Sequence, residues 1–134
     1  KQIGSLKKLL KVLVKSYKIN LNNILGHSDI SPNRKKDPGE KFPWKDLAKN
    51  NLAKWHNLNE KQIKNYRLKE LSKIEDKKFL NNLYIIGYNR IKKIDHNLNK
   101  KFLFKAFQRR FRQSLINGKS DQECLLISKN LLKS

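Results

Sequence analysis

An imidazole and a carboxylate stand ten residues apart, His27 and Asp37, in the stretch GHSDISPNRKKDPGEKFPW that occupies residues 26–44. All three prolines and two of the five glycines of the chain fall inside it. Pro32, Pro38 and Gly39 keep the backbone between the two side chains from extending, and a loop stiffened in this way can hold ligands in a fixed relation. A histidine nitrogen and a carboxylate oxygen both bind zinc at about 2.0–2.2 Å. Neutral histidine and ionised aspartate leave a divalent zinc with net positive charge, which acidifies a water and polarises a carbonyl. Two ligands are not a catalytic site, which takes about three protein ligands and an open position. The remaining imidazoles, His56 and His96, lie in polar, helix- or linker-like sequence that does not suit a ligand. On spacing alone the simpler reading of His27 is a solvated loop histidine.

The elements that must position this loop are read from periodicity. Ser5 can cap a helix to about Tyr17, with Leu6, Leu9, Leu10, Leu13 and Tyr17 on one face and Val12 and Val14 off it. Ile24 and Leu25 suggest a short buried strand ending at Gly26. After the loop, WKDLAKNNLAKW predicts a short helix with Leu47, Ala48, Leu52 and Trp55 inward. The charged residues that follow read as a linker over 59–74. Three helical patterns come next. One carries Phe79, Leu80, Leu83 and Tyr84 and stops at Gly87. The second places Phe102, Leu103, Ala106, Phe107 and Phe111 on one face, with Arg109, Arg110 and Arg112 on a solvated side. The third starts at SDQE, where Ser120 and Glu123 have capping-box spacing, and buries Cys124, Ile127 and Leu131. Asn117-Gly118 marks the turn before it.

With 134 residues the chain makes one ordinary domain or two small ones, and at 37% hydrophobic it can bury a core. The formal net charge of +21 would attract any polyanion. That charge is mostly lysine, scattered along a chain rich in Asn and Ile, which reads as a solvated surface and not as a specific nucleic-acid face. A single cysteine excludes an internal disulfide. The sequence has no run of 18 apolar residues, hence no transmembrane span, and no signal peptide at its start. It begins at Lys1 and contains no Met, and reads as a piece of a longer protein.

Taken whole, GHSDISPNRKKDPGEKFPW resembles the second metal-binding segment of the zinc-dependent N-acetylmuramoyl-L-alanine amidases of the AmpD/AmiD type (amidase family 2). That family reads G-H-[SA]-D-I-A-P-x-R-K-x-D-P-G-x-x-F-P-W, and here Ser31 replaces the usual Ala. The segments IIGYN, AFQRRFR and LINGKSDQE, with the closing LL, resemble the three-helix peptidoglycan-binding domain of the AmiD branch.

The resemblance implies zinc as cofactor, held by His27 and Asp37. Lys35 would stabilise the developing oxyanion, a role suited to a cation beside the metal. Asp29 would hydrogen-bond loop backbone or orient His27. Arg34 would brace the loop, while Phe42 and Trp44 would anchor its end. The implied fold is an α/β amidase domain in the full protein, with this chain a mostly α fragment of it. Residues 1–58 would be the end of the catalytic domain, 59–74 the linker and 75–134 the peptidoglycan-binding module. The first zinc histidine and the catalytic glutamate would lie upstream of Lys1.

The implied activity is hydrolysis of the amide between N-acetylmuramic acid and L-alanine, with peptidoglycan or a muropeptide as partner and no specific nucleic acid. A monomer in the periplasm or cell envelope is implied, anchored to the outer membrane through an absent N-terminus, with the piece itself inactive. The alternative is a non-catalytic basic module that binds wall polymer or nucleic acid.

Overall fold

The computed structural model describes residues 1–91 and 96–133. Among them the chain is helical, with α1 at Gln2–Tyr17, α2 at His27–Ile30, α3 at Trp44–Lys49 and α4 at Glu60–Ile63. The longer helices α5 at Lys73–Ile86, α6 at His96–Phe111 and α7 at Gln122–Lys133 complete it. No strand forms among the described residues, which corrects the mixed reading of the fold. Ile24, expected in a strand, instead ends a 3-10 turn at Leu21–Asn23, because the Asn20 side chain accepts the Asn22 N–H and starts that turn. Leu25 is exposed.

The chain divides into two compact units. The first comprises residues 1–25 and 42–55. Its core is Trp44, Leu47, Leu52 and Ala53, against which Leu10, Val14, Ile24, Phe42, Ala48 and Trp55 pack. Phe42 meets Trp44 edge-on with ring centres 4.6 Å apart, a favoured aromatic geometry. The inward stripe of α1 is rotated from the expected one. Ile3, Leu6, Lys7, Leu10, Leu13 and Val14 are half-buried at i, i+3, i+4, i+7 spacing, while Leu9, Val12 and Tyr17 face solvent. Lys7 lies on the inward side because its ammonium pairs with Asp46 at 2.6 Å while its stem covers apolar surface.

The second unit comprises residues 26–41 and 56–134. Helices α5 and α7 pack on one another, and α6 supplies the aromatic centre. Phe79 lies 4.9 Å from Phe104 and 5.2 Å from Phe107, which in turn lies 5.2 Å from Phe111. Leu83, Leu103, Ala106, Leu125, Ile127 and Leu131 close the core, whereas Phe102 is only half-buried. Ser72 starts α5 with a capping box, accepting the Glu75 N–H while Glu75 accepts the Ser72 N–H. At α7 the expected Ser120 cap is replaced by its neighbour. Asp121 accepts the Cys124 N–H, and the Ser120 hydroxyl donates to Asp76.

The turn before α7 is built on Gln108, which is fully buried in α6. Its carbonyl accepts the N–H groups of Asn117 and Gly118, and its amide donates to the Lys119 carbonyl. Gly118 sits at φ 73°, and a Cβ there would fall 2.7 Å from Lys101 Cγ, so only glycine suits the position. Within residues 59–74, Ile63 is buried and Arg67 grips Glu123 through two hydrogen bonds of 2.7 and 3.0 Å.

The arginines of α6 are the largest departure from the sequence reading. Arg109, Arg110 and Arg112 are all buried. Arg112 is paired with Asp121 and Glu123, and Arg110 faces Asp29. Buried cations of this kind persist beside compensating carboxylates, which for Arg110 is Asp29 far back in the chain and for Arg112 are Asp121 and Glu123 just beyond the next turn.

Candidate metal centre

His27 is the first residue of α2, and the single turn of that helix decides where its ring points. Gly26 precedes it in extended backbone (φ −90°, ψ 163°). The carboxylate of Asp29 reaches back to accept the Gly26 N–H at 2.9 Å, which closes the helix start. Ser28 N–H donates to the Asp37 carbonyl at 2.9 Å, so the far end of the loop is tied to the same turn. Between them Ser31 accepts the N–H groups of Arg34 and Lys35 at 3.0 and 2.9 Å, and Arg34 Nη2 donates to Ser31 Oγ at 3.2 Å. The ten-residue interval is thereby folded back on itself.

The result brings His27 Nδ1 to 2.5 Å from Asp37 Oδ2. Both side chains remain open to solvent, with 69% and 60% of their surface exposed. The hydrogen bond from His27 holds the Asp37 carboxyl below its ordinary value, outweighing desolvation, and the charges of His27 and Lys35 act in the same direction as the hydrogen bond. One nitrogen and one anionic oxygen thus converge on an accessible point, a donor set that suits zinc. Among the described residues no group of three His, Cys, Asp or Glu side chains gathers to hold a metal, so neither His56 nor His96 completes the pair. Lys35 lies on the exposed part of the loop. Phe42 and Trp44 are packed in the core of the first unit.

Asp29 binds backbone as its place in the motif implies, yet it has further partners that sequence reasoning missed. The Tyr88 hydroxyl donates to Asp29 Oδ1 at 2.9 Å, and Arg110 Nη1 lies 3.6 Å from Asp29 Oδ2. Burial raises the Tyr88 phenol well above its ordinary value, and the neighbouring Asp29 charge adds to the effect. Burial pulls the Arg110 guanidinium down, while Asp29 opposes it. Tyr88 stands just beyond the glycine that ends α5, the one sequence signal that could have drawn attention to it. Asn89 Nδ2 donates to the Ile30 carbonyl at 3.1 Å and fixes the other end of α2. A cleft of about 270 Å³ opens between Ile30–Arg34 and Asn89–Ile91.

Comparison with known proteins places the chain among known relatives. Residues 1–40 match the Amidase_2 family, N-acetylmuramoyl-L-alanine amidase. The chain is 31% identical over 132 residues to the N-acetylmuramoyl-L-alanine amidase AmiD of Escherichia coli, covering 98% of this chain and 48% of AmiD. It is 54% identical over 44 residues to the 1,6-anhydro-N-acetylmuramyl-L-alanine amidase AmpD of Haemophilus influenzae, covering 32% of this chain and 24% of that protein. The solved structure of E. coli AmiD with the substrate anhydro-N-acetylmuramic acid-L-Ala-D-gamma-Glu-L-Lys superposes with a TM-score of 0.84 at 31% identity, over 98% of this chain and 51% of that one. This superposition corrects the picture of a mostly α fragment stripped of the amidase core, since nearly every residue present has its counterpart in one amidase chain. The chain spans about half the length of AmiD. Over that span it is similar to the AmpD/AmiD-type N-acetylmuramoyl-L-alanine amidases, and its residues 1–40 match the Amidase_2 family.

Proposed function

We propose that this chain serves a zinc-dependent peptidoglycan amidase that hydrolyses the amide between N-acetylmuramic acid and L-alanine of the stem peptide. The observation that carries the reading is the convergence of His27 Nδ1 and Asp37 Oδ2 at 2.5 Å within the segment that matches the amidase family. In this reading His27 and Asp37 hold the metal. Zinc, when bound, supplies an electrophilic charge that acidifies water and polarises the scissile carbonyl. The chain's own residues prepare that chemistry. Asp37 is kept anionic, and its hydrogen bond orients the imidazole. A metal held by both atoms would take the place of the hydrogen bond between them. Lys35 supplies a second positive charge for the oxyanion that develops on the substrate carbonyl.

The helices from residue 75 onward are assigned to wall binding, which would hold the enzyme on its polymer and raise the effective substrate concentration. Periplasm or cell envelope is the corresponding compartment, and the partner is peptidoglycan or a muropeptide. The 134-residue chain by itself is expected to be inactive, because catalytic zinc takes about three protein ligands and two converge among the described residues.

The test is amide cleavage of an N-acetylmuramyl-L-alanyl peptide by the full gene product with zinc, alongside His27→Ala and Asp37→Ala. Each variant is expected to lower metal content and abolish cleavage. Stoichiometric zinc in both variants would remove the assignment.

A further inference from the structure

We infer that Tyr88 and Arg110 are positioning residues for the His27–Asp37 pair, acting through Asp29. The helical part of the second unit is then a component of the metal centre's scaffold as well as a candidate wall-binding surface. The inference rests on the reading of His27 and Asp37 as the metal pair. It goes beyond that reading by assigning part of the site's geometry to residues 59 or more positions away in sequence.

The argument starts from the size of α2. A helix of four residues has one turn, and fixing a first turn costs more than its hydrogen bonds return. Such an element keeps its shape only through ties to its surroundings. One tie at its start is the Ser28 N–H to the Asp37 carbonyl, and the others run through the Asp29 carboxylate. Asp29 Oδ2 accepts the Gly26 N–H at 2.9 Å, which sets the backbone immediately before His27. Its Oδ1 accepts the Tyr88 hydroxyl at 2.9 Å, which sets where the carboxylate itself can lie. Arg110 at 3.6 Å supplies the opposite charge that permits a carboxylate to be buried there at all.

Asp29 is 7% exposed, Tyr88 6% and Arg110 3%, so the cluster is dry and its directions are fixed by packing on α6. The chain of contact therefore runs from α6 and the end of α5, through Asp29, to the backbone that aims the His27 ring. The side chains of His27 and Asp37 are themselves largely exposed. Their alignment depends on this buried support to an unusual degree, as metal ligands commonly depend on the groups that orient them.

The experiment uses Tyr88→Phe, which keeps the ring and removes only the hydroxyl, in the 134-residue chain. Zinc is titrated while the His27 imidazole nitrogen signals are followed by NMR, which reads weak binding and the His27–Asp37 hydrogen bond in one measurement. Leu131→Val, a core change away from α2, is the control for lost stability. The expected result for Tyr88→Phe is a shifted His27 signal before any metal is added, faster exchange of the Gly26 and Ser28 amide protons, and zinc affinity reduced about 5-fold, the loss equivalent to one hydrogen bond. Leu131→Val is expected to lower the melting temperature and leave the His27 signals and zinc affinity in place. Arg110→Lys, which keeps the charge, is expected to retain more zinc affinity than Arg110→Gln.

Unchanged His27 signals and unchanged zinc affinity in Tyr88→Phe would overturn the inference and leave the cluster as packing alone. If the wild-type chain, with two of about three ligands, takes up no zinc, the metal reading is decided in the full gene product. The His27 signals then decide the positioning role by themselves, a shift in Tyr88→Phe supporting it and no shift overturning it.

Discussion

Tyr88 donates its hydroxyl to Asp29 across 59 residues of sequence, at 2.9 Å and out of contact with water. The phenol's pKa is raised by its burial and by the Asp29 charge. An acid whose folded value is raised favours the fold while it is neutral. Its contribution is complete below the unfolded value of about 10 and is lost as pH rises through the folded value. Wild-type stability minus that of Tyr88→Phe is therefore expected to be positive, about 1 kcal/mol, below pH 9. It is expected to shrink steadily above pH 10. Denaturant melts of the two proteins between pH 8 and pH 11 measure it, and a difference that grows with alkalinity would refute the account.

Lys35→Ala separates metal holding from turnover. In the full gene product it is expected to keep zinc and lose about 10²–10³-fold in kcat, the usual cost of removing one oxyanion-stabilising group. An unchanged rate would leave Lys35 as a surface lysine that only helps to keep Asp37 ionised.

Cys124 is expected to be inert in the folded protein. It is buried in α7, and burial pushes its thiol up to about 12. The thiolate is the reactive form, so at pH 8 a chromogenic thiol reagent should react only after denaturant opens the unit. Rapid stoichiometric labelling of the native chain would contradict the burial.

The net charge of +21 makes a prediction about polyanions. Binding to duplex DNA is expected to be weak, insensitive to sequence, and to fall steeply between 50 and 200 mM salt, as counterion release requires. Filter binding or fluorescence anisotropy across that range is sufficient. A sequence-selective complex that survives physiological salt would favour the nucleic-acid alternative.

What could be read in advance follows the range of the interactions. The loop around His27 and Asp37 was legible because its determinants are local. Prolines, a glycine and short-range hydrogen bonds to Ser31 fold it back within 20 residues. Helices α5 and α7 were legible through Phe79, Leu83, Ile127 and Leu131, which keep helical spacing. The strand expected at Ile24 failed because one side chain, Asn20, offers the backbone a competing turn. The buried arginines of α6 were illegible for a different reason. Periodicity assigns a charged side chain to solvent unless its counter-charge is known. For Arg110 and Arg112 the counter-charges are Asp29, on another segment, and Asp121 and Glu123, beyond a turn. Phe104 was passed over for Phe102 because the stripe is wider than the face drawn for it.

The long sequence separation between Asp29 and Tyr88 also fixes an order of events during folding. Contacts within α5, the turn at Gln108 and α7 are closed over short stretches of chain, whereas the tie from Asp29 closes a loop of 59 residues. Longer loops cost more entropy to close, and non-local contacts form later. The aromatic core of the second unit is therefore expected to be in place before residues 26–41 settle onto it. In a refolding experiment, the contacts of Phe79 with Phe104 and Phe107 would precede the Tyr88–Asp29 hydrogen bond, so the buried support beneath the candidate metal centre is completed late.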